Sequence, residues 1–118
     1  MANWFIHTVV VQAPAAECAS VMDAFAQEFD CLPWNVDISA KDDGSTEVKY
    51  RAKSTPHFGP VEALSRITPE SPVFVEWEEL MTALAGVATF VNGECTEYED
   101  KSEALRIELD AWYSAASN

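Results

Sequence analysis

The pattern of apolar and polar residues predicts several β-strands. Trp4 to Val11 is β-branched and aromatic on both of its faces, which is typical of an interior strand. Apolar and polar residues alternate with a period of two in segments 36–39, 47–53 and 73–78. This alternation predicts strands that bury one face and expose the other.

Apolar residues at helical spacing predict two helices between these strands. The first extends from about Pro14 to Phe29, because the apolar residues of this segment recur every three or four positions. The second is short: Pro60 suits a first helical residue, and Thr68-Pro69 ends the segment because the residue before a proline avoids the helical region.

The last part of the chain predicts a hairpin followed by a helix. Asn92-Gly93 favours a two-residue type I′ turn between strands at 87–91 and 94–98. Residues 105–109 alternate like a strand, whereas Leu105, Leu109 and Trp112 are spaced as in a helix. Asp100 or Ser102 as an N-cap, with Glu103 in the first turn, favours the terminal helix.

The order of these elements indicates an α+β fold. Strand, helix, strand, strand, helix and strand follow one another, and a hairpin and a helix come after them. This order is typical of a ferredoxin-like split βαβ antiparallel sheet with its helices on one face. We expect residues 1–118 to form a single domain with an added C-terminal hairpin and helix.

Acidic residues outnumber basic ones by far, 20 Asp and Glu against seven Lys and Arg, for a formal net charge of −13. This charge repels phosphate and argues against direct binding of nucleic acid. It favours a basic partner, including a protein that holds DNA or RNA in a basic groove. A strongly charged surface also serves solubility alone, which is the simpler interpretation.

The cysteines and the N-terminal segment predict a soluble cytoplasmic protein. Cys18, Cys31 and Cys95 are widely spaced and form no C-x-x-C pair, so we expect reduced thiols. The N-terminus has no basic region followed by an apolar stretch, and no segment is apolar enough to span a membrane.

Several short motifs follow one another along the chain. They are Met1-Ala2-Asn3-Trp4, the corner from Ser54 to Pro60, Leu64-Ser65 followed by Pro69, Glu76-Trp77-Glu78-Glu79, Gly86, Asn92-Gly93-Glu94, and Ser102 through Trp112. Together they resemble one family, the small phage- and plasmid-encoded proteins with a YubB-type ferredoxin-like domain, which has no assigned activity. His57 stands where the family has Trp, and Gly59 where it has Pro. The resemblance implies a ferredoxin-like fold and a mobile-element origin, and it supplies no mechanism.

His57 is the residue that most resembles a catalytic group. It lies between Pro56 and Phe58 in a proline-rich corner that could present an imidazole. General base catalysis needs a partner within hydrogen-bond reach, and the sequence indicates none. A structural or partner-contact role is therefore the simpler interpretation of His57. His7, in the middle of a strand, is predicted to be a packed histidine.

Carboxylates are concentrated around the last strands, and they form the predicted binding surface. The predicted partner-binding residues are Glu76, Glu78, Glu79, Glu94, Glu97 and Glu99, with Trp34, His57 and Phe58 as anchors. No D-x-D-x-D-G loop or glycine-rich phosphate loop is present, so we expect no metal site and no cofactor.

Three functions remain open from the sequence. The first is a non-enzymatic phage or plasmid accessory protein, such as an anti-CRISPR-like inhibitor, that binds a basic nucleic-acid-binding host protein through its acidic face. The second is a small enzyme or ligand-binding module that uses the His57 corner. The third is an oligomerisation domain in which the open sheet face or an edge strand pairs with a second copy.

Overall fold

The computed structural model describes residues 4–26, 36–53 and 56–116. Within these ranges the chain forms six strands and three helices. In order these are β1 Trp4–Val11, α1 Ala15–Ala26, β2 Val36–Ala40, β3 Thr46–Lys53, α2 Gly59–Arg66, β4 Val73–Glu79, β5 Leu84–Val91, β6 Glu94–Asp100 and α3 Ser102–Ala116. The predicted strands and helices are confirmed, except that the predicted end of the first helix at Phe29 falls outside the described residues.

All six strands form one antiparallel sheet in the order β2-β3-β1-β4-β5-β6. The α+β class and the antiparallel sheet are therefore confirmed. β1 lies between β3 and β4, as its two apolar faces predict, and β2 and β6 are the edge strands. The strand that follows α1 in sequence is thus separated from β1 by β3.

One face of the sheet carries the hydrophobic core. Alternate residues of β1, namely Phe5, His7, Val9 and Val11, are buried on this face. α1 contributes Cys18 and Met22 to the core, and α2 contributes Val61 and Leu64. α1 and α2 thus cover the same face, because the apolar stripe of each helix must be removed from water.

The opposite face is largely exposed, and we refer to it as the open face. Its residues are Trp4, Ile6, Thr8 and Val10 of β1, Glu47, Lys49, Arg51 and Lys53 of β3, Phe74, Glu76 and Glu78 of β4, Val87, Thr89 and Val91 of β5, and Glu94, Glu97 and Glu99 of β6. Trp4, Ile6 and Phe74 remain 43%, 40% and 51% exposed. The open face is therefore an antiparallel sheet surface with an unusual amount of exposed apolar area.

The β5–β6 hairpin has the turn that its sequence predicts. Asn92 and Gly93 both have positive φ, at 47° and 87°, as a type I′ turn requires. The Gly93 N–H donates to the hydroxyl of Ser65 in α2 over 2.7 Å. The hairpin is thus tied to the helix layer at its tip.

α3 lies apart from α1 and α2. Its residues Ala104, Leu105 and Glu108 line a groove together with Ile6 and Glu78 of the open face. α3, the predicted C-terminal addition, thus lies beside the open face, whereas α1 and α2 share the opposite face.

α3 is anchored at its first turn. The Asp100 carboxylate accepts the Ser102 N–H over 2.8 Å, so of the two predicted caps it is Asp100 that satisfies a free helical N–H. The Ser102 hydroxyl instead accepts the Ala85 N–H over 3.0 Å and lies 3.3 Å from the Ala85 carbonyl. The two contacts of the Ser102 hydroxyl with Ala85 hold the start of α3 against β5.

We expect Ser102→Ala to lower the free energy of unfolding by about 1–2 kcal/mol, because it leaves the buried Ala85 N–H without its acceptor. Urea denaturation would measure this loss. Asp110→Ala, at an exposed position of the same helix, is the control, and it should change stability by less than about 0.5 kcal/mol. Equal losses in the two variants would contradict an anchoring role for Ser102.

Candidate interaction surface on the open sheet face

Four carboxylates lie together on the β4–β6 half of the open face, and we refer to Glu76, Glu94, Glu97 and Glu99 as the acidic surface. Val87 of β5 pairs with Glu76 on one side and with Glu99 on the other. The three residues therefore form one row across three strands. Because neighbouring strands are about 4.8 Å apart, the two backbone positions that carry these carboxylates lie about 10 Å from each other.

The acidic surface surrounds a shallow groove of about 490 Å³. Phe74, Val87 and Thr89 lie within the groove lining, and Glu76, Glu97 and Glu99 line it as well. A groove with apolar and carboxylate walls suits a Lys or Arg side chain, whose aliphatic stem packs while its charged end meets a carboxylate.

Few cations neutralise this charge within the chain. Among the described residues, Glu99 forms an ion pair with Lys101 over 3.0 Å, and the other two ion pairs join Glu47 to Lys41 and to Lys49. All seven residues of β6 are exposed. The carboxylates of the acidic surface therefore keep most of their negative charge, and they repel one another unless a cation binds.

Glu78 lies next to the acidic surface, beside α3. It is exposed, it pairs with Ile6 of β1 and Ala85 of β5, and it lines the groove together with Leu105 and Glu108.

Glu79 lies away from the acidic surface, although the sequence predicts it as one of the partner-binding carboxylates. It is buried on the core side, and its carboxylate accepts the N–H groups of Met81 and Thr82, each over 2.8 Å, as well as the Thr82 hydroxyl. These hydrogen bonds, first that of the Thr82 hydroxyl, lower the pKa of Glu79. Glu79 thus organises the β4–β5 turn.

The period of two in β4 predicts that the Glu79 side chain is buried. Val73, Val75, Trp77 and Glu79 are alternate residues, so a strand that buries the first three also turns the fourth inward.

His57 lies in a corner held by two buried side chains. Its N–H donates to Nε2 of His7 over 3.0 Å, and its carbonyl accepts the Tyr50 hydroxyl over 2.5 Å. The His7 and Tyr50 rings are stacked with centroids 4.3 Å apart. The corner is therefore fixed through the His57 backbone, and His57 lines neither the groove beside α3 nor the groove of the acidic surface.

Phe58 packs into the helix layer rather than onto the open face. It is half-buried against the core, with its ring 5.7 Å from Phe90 and 6.2 Å from His7, between centroids. The described geometry thus separates His57 and Phe58 from the acidic surface. Trp34, the third predicted anchor, lies outside the described residues.

His7 has a larger structural role than its position in the middle of a strand predicts. It is fully buried, as predicted for a packed histidine, and burial lowers its pKa from 6.5 to about 4. Because Nε2 accepts the His57 N–H, Nδ1 carries the proton and donates to the Tyr50 carbonyl over 3.4 Å. Neutral His7 is thus the form that fits this site.

The described part of the chain contains no group of three or more His, Cys, Asp or Glu side chains placed to hold a metal ion. None of its helices has the length and apolar character needed to cross a membrane.

Comparison with known protein families, with curated proteins and with solved structures found no match to this chain. The resemblance to the YubB-type family therefore stays a hypothesis.

Proposed function

We propose that the chain is a protein-binding module whose acidic surface docks on a basic, nucleic-acid-binding surface of another protein. The observation that carries this proposal is the groove of about 490 Å³ lined by Glu76, Glu97 and Glu99 around Phe74 and Val87. It combines exposed apolar area with three carboxylates, of which Glu99 alone forms an ion pair, with Lys101, among the described residues. Such a surface is complementary to Arg and Lys side chains that otherwise contact phosphate.

The electrostatics favour competition with nucleic acid. A chain with a net charge of −13 is repelled by phosphate, yet its carboxylates can take the place of phosphates on a basic protein. Carboxylates two residues apart on one strand, such as those of Glu97 and Glu99, lie about 6.8 Å apart at the backbone and present a regular row of negative charge. An inhibitor of a nucleic-acid-handling host factor, for example of a defence complex, is the concrete form of this function.

A ferredoxin-like fold and a mobile-element origin belong to the same proposal. The order β2-β3-β1-β4, with α1 and α2 on one face, supports the split βαβ arrangement. β5, β6 and α3 are then additions to that arrangement, and β6 carries most of the acidic surface.

The test compares two variants with equal loss of charge. In the first, Glu94, Glu97 and Glu99 are replaced by Gln; in the control, Asp23→Asn, Asp42→Asn and Glu70→Gln remove three exposed carboxylates that lie elsewhere. Tagged proteins are incubated with host lysate at low salt, and bound proteins are eluted with salt or with added duplex DNA. We expect the wild type and the control to retain a nucleic-acid-binding protein that DNA releases, and the first variant to lose at least about 10-fold of it.

Two outcomes would contradict the proposal. Equal loss in both variants would mean that net charge, rather than the acidic surface, attracts the captured protein. Capture that neither salt nor DNA reverses would mean that the contact is not made through carboxylates on a nucleic-acid-binding surface.

A further inference from the structure

The open face is divided across its width into a basic, an apolar and an acidic band. β3 carries Lys49, Arg51 and Lys53, β1 carries Trp4, Ile6, Thr8 and Val10, and β4 carries Glu76 and Glu78. The apolar band lies in the middle, and its tryptophan and isoleucine are 43% and 40% exposed. A face that is basic on one side and acidic on the other can be complementary to itself.

The pairing register places the opposite charges at equal heights. Ile6 pairs with Arg51 on one side and with Glu78 on the other. One step along the strand on this face, Thr8 pairs with Lys49 and with Glu76. Arg51 and Lys49 of β3 thus each have a carboxylate of β4 at their own level, with β1 between them.

We propose that the open face binds a second copy of this chain, with a two-fold axis parallel to β1 and above it. Rotation about this axis keeps each residue at its height along the strands and exchanges the two sides of β1. Arg51 then lies opposite Glu78 of the second copy, and Lys49 lies opposite Glu76. Both pairs occur twice, as an isologous interface requires.

The apolar band supplies the driving force, and the charges select the orientation. Stacking two sheets about 10 Å apart removes the exposed rings and aliphatic side chains of β1 from water. A two-fold axis perpendicular to the strands would instead place β3 on β3 and β4 on β4. That arrangement sets like charges against each other, which disfavours it.

Within one copy, the positive charges of the basic band are only partly neutralised, so the band can bind carboxylates of the second copy. Lys41 and Lys49 share the single carboxylate of Glu47, at 3.6 and 3.5 Å, so this cluster retains a positive charge. Arg51 lies over the Trp4 ring at 5.9 Å from its centroid, a contact that leaves its guanidinium charge uncompensated.

α3 extends the same division of charge. Its Ala104, Leu105 and Glu108 stand beside the open face on the acidic half, where they line a groove of about 330 Å³ with Ile6 and Glu78. In the proposed dimer this wall faces the basic half of the second copy. β6 lies beyond the second copy's edge strand β2, so Glu94, Glu97 and Glu99 stay available to another partner, whereas Glu76 is engaged by Lys49 of the second copy.

The test exchanges the charges of Arg51 and Glu78 and measures the molecular mass of the protein in solution. Light scattering after size-exclusion chromatography, at several protein concentrations, is expected to give twice the monomer mass for the wild type at low salt. Arg51→Glu and Glu78→Arg should each raise the dimer dissociation constant about 10-fold or more. The double variant R51E/E78R should return it to within about 3-fold of the wild type, because both pairs form again with their signs exchanged.

Glu70→Arg, an exposed carboxylate outside the open face, is the control and should leave the dimer intact. A wild type that stays monomeric at every concentration would overturn the proposal. So would single variants that dimerise like the wild type, or a double variant no better than the singles. The Gln variant of β6 tests partner binding and should leave the mass of the dimer unchanged, so the two proposals fail separately.

Discussion

Lowering the pH from 7 to 4 is expected to remove about 3 kcal/mol of stability through His7 alone. The unfolded chain takes up a proton on His7 near pH 6.5, whereas burial holds the folded pKa at about 4. The contribution of neutral His7 is therefore fully present above pH 6.5 and is lost as the pH falls toward 4. The magnitude follows from the difference between these two pKa values.

Urea denaturation at pH 7, 6, 5 and 4 measures this effect when the wild type is compared with His7→Gln. The glutamine carbonyl can still accept the His57 N–H but does not titrate. The 20 carboxylates titrate in both chains, so the difference between the two stability curves isolates His7. Parallel curves for the two chains would show that His7 takes up its proton equally in the folded and unfolded states.

Gly86→Ala is expected to destabilise the fold by about 1–3 kcal/mol. A Cβ at this position would lie 2.4 Å from Cζ2 of the Trp77 ring, far inside van der Waals contact. Trp77 has little room to move, because its ring packs near Phe5 and Tyr98, with centroids 5.8 and 6.5 Å away. Thermal unfolding or urea denaturation would measure the loss.

Replacing the ring separates this steric cause from a general effect on the strand. Trp77→Phe removes the atoms that the new methyl group would contact, so the double variant W77F/G86A should be more stable than the sum of the two single effects predicts. Strict additivity would mean that Gly86 matters for its backbone conformation and not for its contact with Trp77.

The strands and helices could be predicted because their signals are local. The alternation in β3 and β4, the Asn-Gly turn and the stripe of α1 each extend over a few residues of sequence. The pairing order of the sheet and the position of α3 depend on contacts between distant segments, and the sequence patterns do not encode them directly. α3 stands beside the open face because the Lys101 N–H and the Ser102 hydroxyl at its start both bind the backbone of Ala85 in β5.

The candidate sites divide in the same way. The exposed carboxylates of β6 could be predicted, because they are concentrated in one short stretch of sequence after the Asn-Gly turn. The His7–His57 contact joins residues 50 positions apart, and no periodicity indicates it. Glu79 is buried, as its alternation with Trp77 indicates, whereas its prediction as a partner-binding residue rests on its charge.

Within the described part of the chain, β6 has a neighbouring strand on one side only, so its other backbone edge is unpaired. Such an edge is a template on which a strand of another chain can add, and this addition begins many aggregates. Dense negative charge on the edge strand keeps similar strands apart, so the glutamates of β6 also act against aggregation. Substitution of these glutamates by other charged residues is therefore expected to preserve this protection better than substitution by neutral residues.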